Sequence, residues 1–396
     1  MSFLFKEYNV FRRKIPLVTI IWFTLALVAV ISELSRNSIN NYLIFKYVFW
    51  HAIDQQSLYA VYPEYVDTNH YGPLFSVVIA PFAVLPNWLG CSLWALANAW
   101  ILFYAINRLK ISQRNKLIIL AVSAIEMMTS IHSVQFNPAT GAWLILTYAL
   151  VEDEEDFWAT MFIAAGFLIK LYGIAGLLFF VFSKQKLKFI LYFIFWMVVL
   201  FCLPMVFSSP SYIIDSYKEW IQSLAVKNEK NTSGSVVATF QDISVMGMTR
   251  RISGDPTVSS LIFLVPAAAL ILIPLLRFKQ YISDRFRLSY LAIVIITVIV
   301  FSSSAESATY VIALPGACIW YILHRNNYKT ASTVMLILLF LFTILSPTDL
   351  VPRFFRENVV RAYSLKALPC FLIWLWLIAD VMFKDFLSPA TTKQQI

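Results

Sequence analysis

The sharpest chemical signal in this sequence is a lysine inside an apolar run. Lys170 interrupts Ile163–Leu178, and an ionisable residue in such a run is costly to bury unless it serves a function or snorkels to an interface. As a point charge it would neutralise a phosphate. Arg250 and Arg251 could share that work, or could attract anionic headgroups. Gln135 and Asn137 would supply neutral hydrogen bonds, or they mark a satisfied helix break before Pro138. Three groups can take a proton from a hydroxyl, a step worth about 10²–10⁴-fold. Asp67 is the first choice as base, lying three residues before His70; its alternatives are a solvated carboxylate or a cap for a helix starting near Pro73. Glu306, a lone carboxylate between two apolar runs, is the second, with a helix-end charge as its alternative. His70 would assist or orient, or bond a neighbouring loop. Asp54 and Glu64 read as solvated.

Metal chemistry finds no comparable pattern. His132 and His324 have no partners at metal-ligand spacing, and no Asp-x-Asp pair falls on an external loop, so no metal and no cofactor are expected. Cys91, Cys202, Cys318 and Cys370 form no CxxC pair and read as small core residues.

These residues need elements to hold them, and the composition names the kind. Of 396 residues, 60% are hydrophobic and 13% charged, against roughly 25% charged in soluble domains. Soluble enzymes, disordered chains and nucleic-acid modules are excluded. The chain reads as an all-α polytopic membrane helix bundle, one membrane domain over 1–396 with about 11–13 transmembrane or re-entrant helices of roughly 20 residues or fewer. The net charge of +9 matters for where it falls. Lys6, Arg12, Arg13 and Lys14 precede the first apolar run, Ile15 to about Ile31, placing the N-terminus in the cytoplasm. Later runs lie at about 187–207, 258–277, 288–303, 308–323, 331–346 and 366–383; the basic loops at 183–188, 277–287 and 324–326 read as cytoplasmic, and 208–257, 302–307 and 347–365 then face the opposite side.

The first half closes under one hypothesis. If Pro73 to Pro86 is re-entrant, 88–107 runs inward and the basic loop 108–116 is cytoplasmic. Then 117–133 runs outward, 137–151 returns, and 157–182 forms a V with its apex near Lys170-Leu171-Tyr172-Gly173. This delivers Gln135, Asn137 and Lys170 to the outer face. The stretch 35–72 is a first external loop whose aromatic segment 42–50 suits an interfacial helix, and 208–257 is a second external loop. Asn231-Thr232-Ser233 fits a glycosylation acceptor.

Five stretches together resemble glycosyltransferase family 87, membrane enzymes of the GT-C fold that use polyprenyl-phosphate sugars. They are Asn41-Tyr42 through Leu58-Tyr59; His70-Tyr71-Gly72-Pro73-Leu74-Phe75 with Ala80-Pro81 and Leu85-Pro86; Leu93-Trp94 through Asn98; Gln135-Phe136-Asn137; and Ala164-Ala165-Gly166 with Ile169-Lys170-Leu171-Tyr172. Gln241-Asp242-Ile243-Ser244 followed by Arg250 is a weaker match. Asn41 stands where the family usually carries an aspartate, Val134 replaces a glycine and Gly173 a proline; Ala305 to Tyr310 occupies a stretch that often holds a histidine. An amide cannot act as the base.

The resemblance implies an inverting enzyme moving a mannose-like hexose or a pentose from a polyprenyl-phosphate donor to an external glycolipid or glycan. Asn41 and Tyr71 join Lys170, Gln135, Asn137, Arg250 and Arg251 as substrate contacts. The implied setting is the bacterial cytoplasmic membrane, with an active site on the periplasmic face and no nucleic-acid partner. A secondary transporter or lipid flippase, a cell-wall polymer ligase, and a family member without activity are the other readings.

Overall fold

The computed structural model describes residues 5–10, 12–233 and 240–388. Among them the only sheet is a two-stranded antiparallel hairpin, Glu7–Val10 with Arg13–Pro16. It was not expected from the basic N-terminal sequence. Helices follow: α1 Leu17–Ser35, α2 Asn40–Ile53, α3 Phe75–Ala83, α4 Asn87–Arg108, α5 Gln113–His132, α6 Asn137–Glu152, α7 Asp156–Ile169 and α8 Lys186–Cys202. The second half holds α9 Pro210–Ser233, α10 Val245–Ser253, α11 Leu261–Leu272, α12 Asp284–Val300, α13 Tyr310–His324, α14 Lys329–Leu338, α15 Arg353–Phe355 and α16 Ala367–Phe383. Four stretches are long and apolar enough to cross a membrane: Leu17–Ser35, Asn87–Arg108, Lys186–Val206 and Ser307–His324. Shorter apolar helices accompany them. The chain is an all-α polytopic membrane protein.

The chain packs as two compact units. Unit 1 gathers Met1–Thr19, Leu109–Glu126 and Asn228–Ile396; unit 2 gathers Ile20–Arg108 and Met127–Lys227. In unit 2, α4 packs on α6, α6 on α7 and α7 on α8. Trp22 anchors α1 to α4 by donating Nε1–H to Ala99 O at 3.0 Å. The core between α2, α3, α4 and the start of α6 is aromatic. Phe45 meets Phe75 edge-on at 5.1 Å, and Trp94 stacks on Phe136 at 5.5 Å, the geometries that ring quadrupoles favour.

The stretch expected to be re-entrant is α3, nine residues long and too short to cross. The expected V is also present. α7 ends at Ile169 because Lys170 adopts extended backbone (φ −147°, ψ 113°), and a 3₁₀ run, Leu171–Phe182, folds back along α7. The fold-back is possible because Gly166 and Gly173 meet backbone to backbone. A Cβ on Gly173 would lie 2.2 Å from the carbonyl carbon of Gly166.

The stretch 208–257 is largely helical rather than loop. α9 buries Ile213, Ser216, Tyr217 and Trp220 on one face and exposes Ile214 and Ile221. Its polar face lowers the mean hydropathy below that of a span, while the helical spacing of the buried residues secures one side.

In unit 1, α12 packs against α13 and α16. α12 and α13 are buried almost all round, which matches their unbroken apolar sequence. Gly316 lets α13 approach α12; a Cβ there would lie 2.9 Å from Ala292 O. Trp374 donates to Thr297 Oγ1 at 2.8 Å.

Candidate active site

Unit 2 brings seven of the sequence-derived residues into one neighbourhood, and the local sequence explains how. α5 ends because Val134 takes left-handed backbone (φ 46°). The Val134 N–H bonds Ile131 O at 2.8 Å and the Gln135 N–H bonds Ser130 O at 3.1 Å, the pattern of a left-handed helix stop. Glycine suits that conformation and a β-branched residue does not, so Val134 holds a conformation at odds with its type. Asn41 braces the same turn, donating from Nδ2 to Ser133 O at 2.6 Å. α6 then opens at Asn137 with Pro138 in its first turn, where proline's missing N–H costs nothing. Asn98 of α4 accepts from the Ala139 N–H at 3.3 Å.

The turn therefore presents Gln135 and Asn137 side by side. Asn137 is fully buried, donates to Gln135 Oε1, and accepts from Lys170 Nζ at 2.7 Å. Lys170 sits at the apex of the V, its ammonium 4.9 Å from the Tyr172 ring centre and 5.7 Å from that of Tyr71. Both are cation–π distances. Tyr71 stacks on Phe75 at 4.7 Å. The loop carrying Tyr71 is fixed from both sides. Its backbone exchanges bonds with the Asn69 side chain at 2.9 Å, and the Gly72 N–H bonds Ile169 O at 2.9 Å.

Gly72 is where loop and α7 touch. A Cβ there would lie 2.0 Å from Leu168 O, a backbone atom. Gly72→Ala is therefore expected to separate Tyr71 from Lys170 and to destabilise unit 2 by about 1–3 kcal/mol. Thermal melting in detergent checks this, and an unchanged melting temperature would mean that the loop absorbs the methyl group.

Asp67 and His70 lie on the same loop. His70 Nε2 is 3.9 Å from Asp67 Oδ1, and Lys227 Nζ is 3.9 Å from Asp67 Oδ2. Asp67 takes left-handed backbone (φ 75°) and its side chain is 60% exposed. Trp220 of α9 holds the loop by donating to His70 O at 3.0 Å.

Glu306, Arg250 and Arg251 belong to unit 1, where they form a polar cluster. Gln241 donates from Nε2 to Glu306 Oε1 at 2.7 Å, and its carbonyl accepts from Arg251 Nη2 at 2.8 Å. Glu306 also caps the 3₁₀ turn Ser307–Thr309, the helix-end role held open in the sequence. Arg250 is only 5% exposed and engaged throughout. It pairs with Asp242 Oδ2 at 2.7 Å and donates to Val258 O at 3.1 Å and Ser260 Oγ at 2.7 Å. Its guanidinium is thus a structural tie within unit 1. Burial pushes the Asp242 carboxyl above its ordinary range, against the pull of Ser244 and Arg250. Burial likewise lowers Arg251, with Asp242 opposing and Arg361 adding to the shift.

Several pairings were missed in the sequence. Glu33 of α1 binds His132 Nδ1 at 2.8 Å. His324 binds Asp380 at 2.6 Å, and buried Glu126 binds Lys366 at 2.7 Å. Each carboxylate interrupts an apolar helix, which was the available signal; the partner comes from a distant helix and carries none. Asn231 of the glycosylation triplet is mostly buried and donates to Ser303 O at 3.2 Å and Ser304 Oγ at 3.3 Å, so it is occupied within the fold. Among the described residues no three of His, Cys, Asp and Glu gather as a metal site.

No curated protein matches the chain. The sequence profile of glycosyltransferase family 87 matches residues 69–303, more than half of the chain. That span begins beside His70, includes Gln135, Asn137 and Lys170, and ends before Glu306. With the match and the membrane helices together, the chain belongs to glycosyltransferase family 87.

Proposed function

We propose that this glycosyltransferase moves a mannose-like hexose or a pentose from a polyprenyl-phosphate donor to a glycolipid or glycan acceptor, with inversion, on the periplasmic face of a bacterial cytoplasmic membrane. The observation that carries the reading is the placement of Lys170 at the apex of the V, against Asn137, Tyr71 and Tyr172. A cation at the end of an apolar hairpin suits a donor whose phosphate sits at the bilayer boundary while its chain stays in lipid. The basic loops at 108–116 and 183–188 support the sidedness.

The chemistry needs three contributions. The acceptor hydroxyl attacks the anomeric carbon; its oxygen forms the new glycosidic bond as the bond from that carbon to the phosphate oxygen breaks. The hydroxyl proton passes to Asp67, and the lipid phosphate departs with the bonding pair. Lys170 stabilises the charge growing on that phosphate, Gln135 adds a neutral hydrogen bond, and the buried Asn137 bonds to both and holds them together. His70, beside Asp67, orients the acceptor. A single displacement of this kind inverts the anomeric centre.

Asp67→Asn is expected to lower transfer by about 10²–10⁴-fold in membranes supplied with a panel of polyprenyl-phosphate sugars. Transfer that survives at near wild-type rate would move the base to Glu306 or His70 and leave the class intact. Absence of transfer by the wild type from every donor offered would count against the donor class.

A further inference from the structure

Unit 1 holds a second concentration of cations that the transfer reaction does not use. A cavity of about 510 Å³ is lined by Arg114, Arg325 and Lys329 together with Ser332, while Ile118 and Tyr321 supply apolar wall; no carboxylate lines it. This volume lies within the roughly 300–1,000 Å³ typical of small-ligand sites.

Three features of the cavity call for an anion. Arg114 lies in the first turn of α5 and Lys329 opens α14, and neither first turn holds an acidic residue. Cations at the positive ends of helix dipoles oppose the backbone field unless negative charge intervenes. Among the described residues, neither Arg114 nor Lys329 has an acidic partner. Ser332 is fully buried and its hydroxyl has no hydrogen-bond partner, a costly state in a native interior. Arg325 is aimed by Asn115 Oδ1 at 2.8 Å and by the Tyr321 ring at 6.0 Å. Burial lowers its pKa, Tyr321 opposes the shift, and Arg114 adds to it, as expected of like charges without a counter-ion.

We propose that this cavity binds a phosphate group, carried either by a lipid headgroup or by a soluble phosphate.

The test uses the full chain purified in detergent. Retention of phosphatidylglycerol against phosphatidylcholine is read by native mass spectrometry, and thermal stabilisation is read with inorganic phosphate. Preferred retention of phosphatidylglycerol assigns the site to a lipid headgroup, and stabilisation by phosphate alone assigns it to a soluble ligand. Arg114→Gln and Lys329→Gln, both at exposed positions, are each expected to weaken the positive arm about tenfold, with melting in the absence of probe unchanged. Lys279→Gln removes the same charge elsewhere on unit 1 and is expected to leave binding unaltered. Failure of both probes, or equal weakening by Lys279→Gln, would overturn the assignment.

Discussion

Lys170→Met is expected to reduce kcat/KM for sugar transfer by about 10²–10³-fold, the usual consequence of removing one fixed donor to developing charge. The substitution keeps length and apolar volume, so the V should close as before. The loss would then fall on the charged transition state rather than on the fold. Lys170→Arg should recover part of the rate, because it restores charge but replaces a compact ammonium with a planar fork that Asn137 and the two tyrosines are not shaped to hold. A methionine variant working within a few-fold of wild type would remove Lys170 from the reaction and leave it as an anchor of the hairpin apex.

The second large effect is on stability. Lys366 and Glu126 are 4% and 0% exposed and 2.7 Å apart. Lys366 also donates to Ser307 Oγ at 2.9 Å and lies 5.3 Å from the Tyr310 ring centre. Glu126→Gln leaves the ammonium buried without its counter-charge and is expected to cost about 3–5 kcal/mol. The double variant Glu126→Leu with Lys366→Met should recover most of that loss, since a well-packed apolar pair replaces a buried ion pair at little or no cost. Unfolding titrations in mixed micelles would measure both. A double variant as unstable as the sum of its singles would mean that the pair is not the source of the effect.

The helices were legible because lipid imposes a simple requirement: backbone polar groups must be satisfied within an apolar stretch. α1, α4 and α13 carry that signal plainly. The break at Lys170 was legible for the converse reason, a charge where none is otherwise tolerated. α9 was hidden, because its buried Ile213, Tyr217 and Trp220 are diluted by a charged face. The N-terminal hairpin was hidden too, since four-residue strands leave almost no periodicity to read. Gln135, Asn137 and Lys170, singled out by type and order, lie side by side in the fold. The pairing of Arg250 with Asp242 was not legible, because nothing local announces it. Two residues eight apart meet only when the intervening chain turns into α10, and that turn depends on Gly247, whose Cβ would collide with Asp242 O at 1.8 Å.

The meeting of Gly166 and Gly173 bears on how the V can change over time. Side-chain packing drifts easily, since neighbouring residues can compensate for one another's volume. A contact made of backbone alone offers nothing to exchange: any added carbon at Gly173 strikes Gly166 or Phe167 main-chain atoms within 2.5 Å. The apex is indexed by the covalent chain itself, so the exposed Leu171 and Ile174, 44% and 40% accessible, are free to vary while the ammonium between the two arms keeps its place.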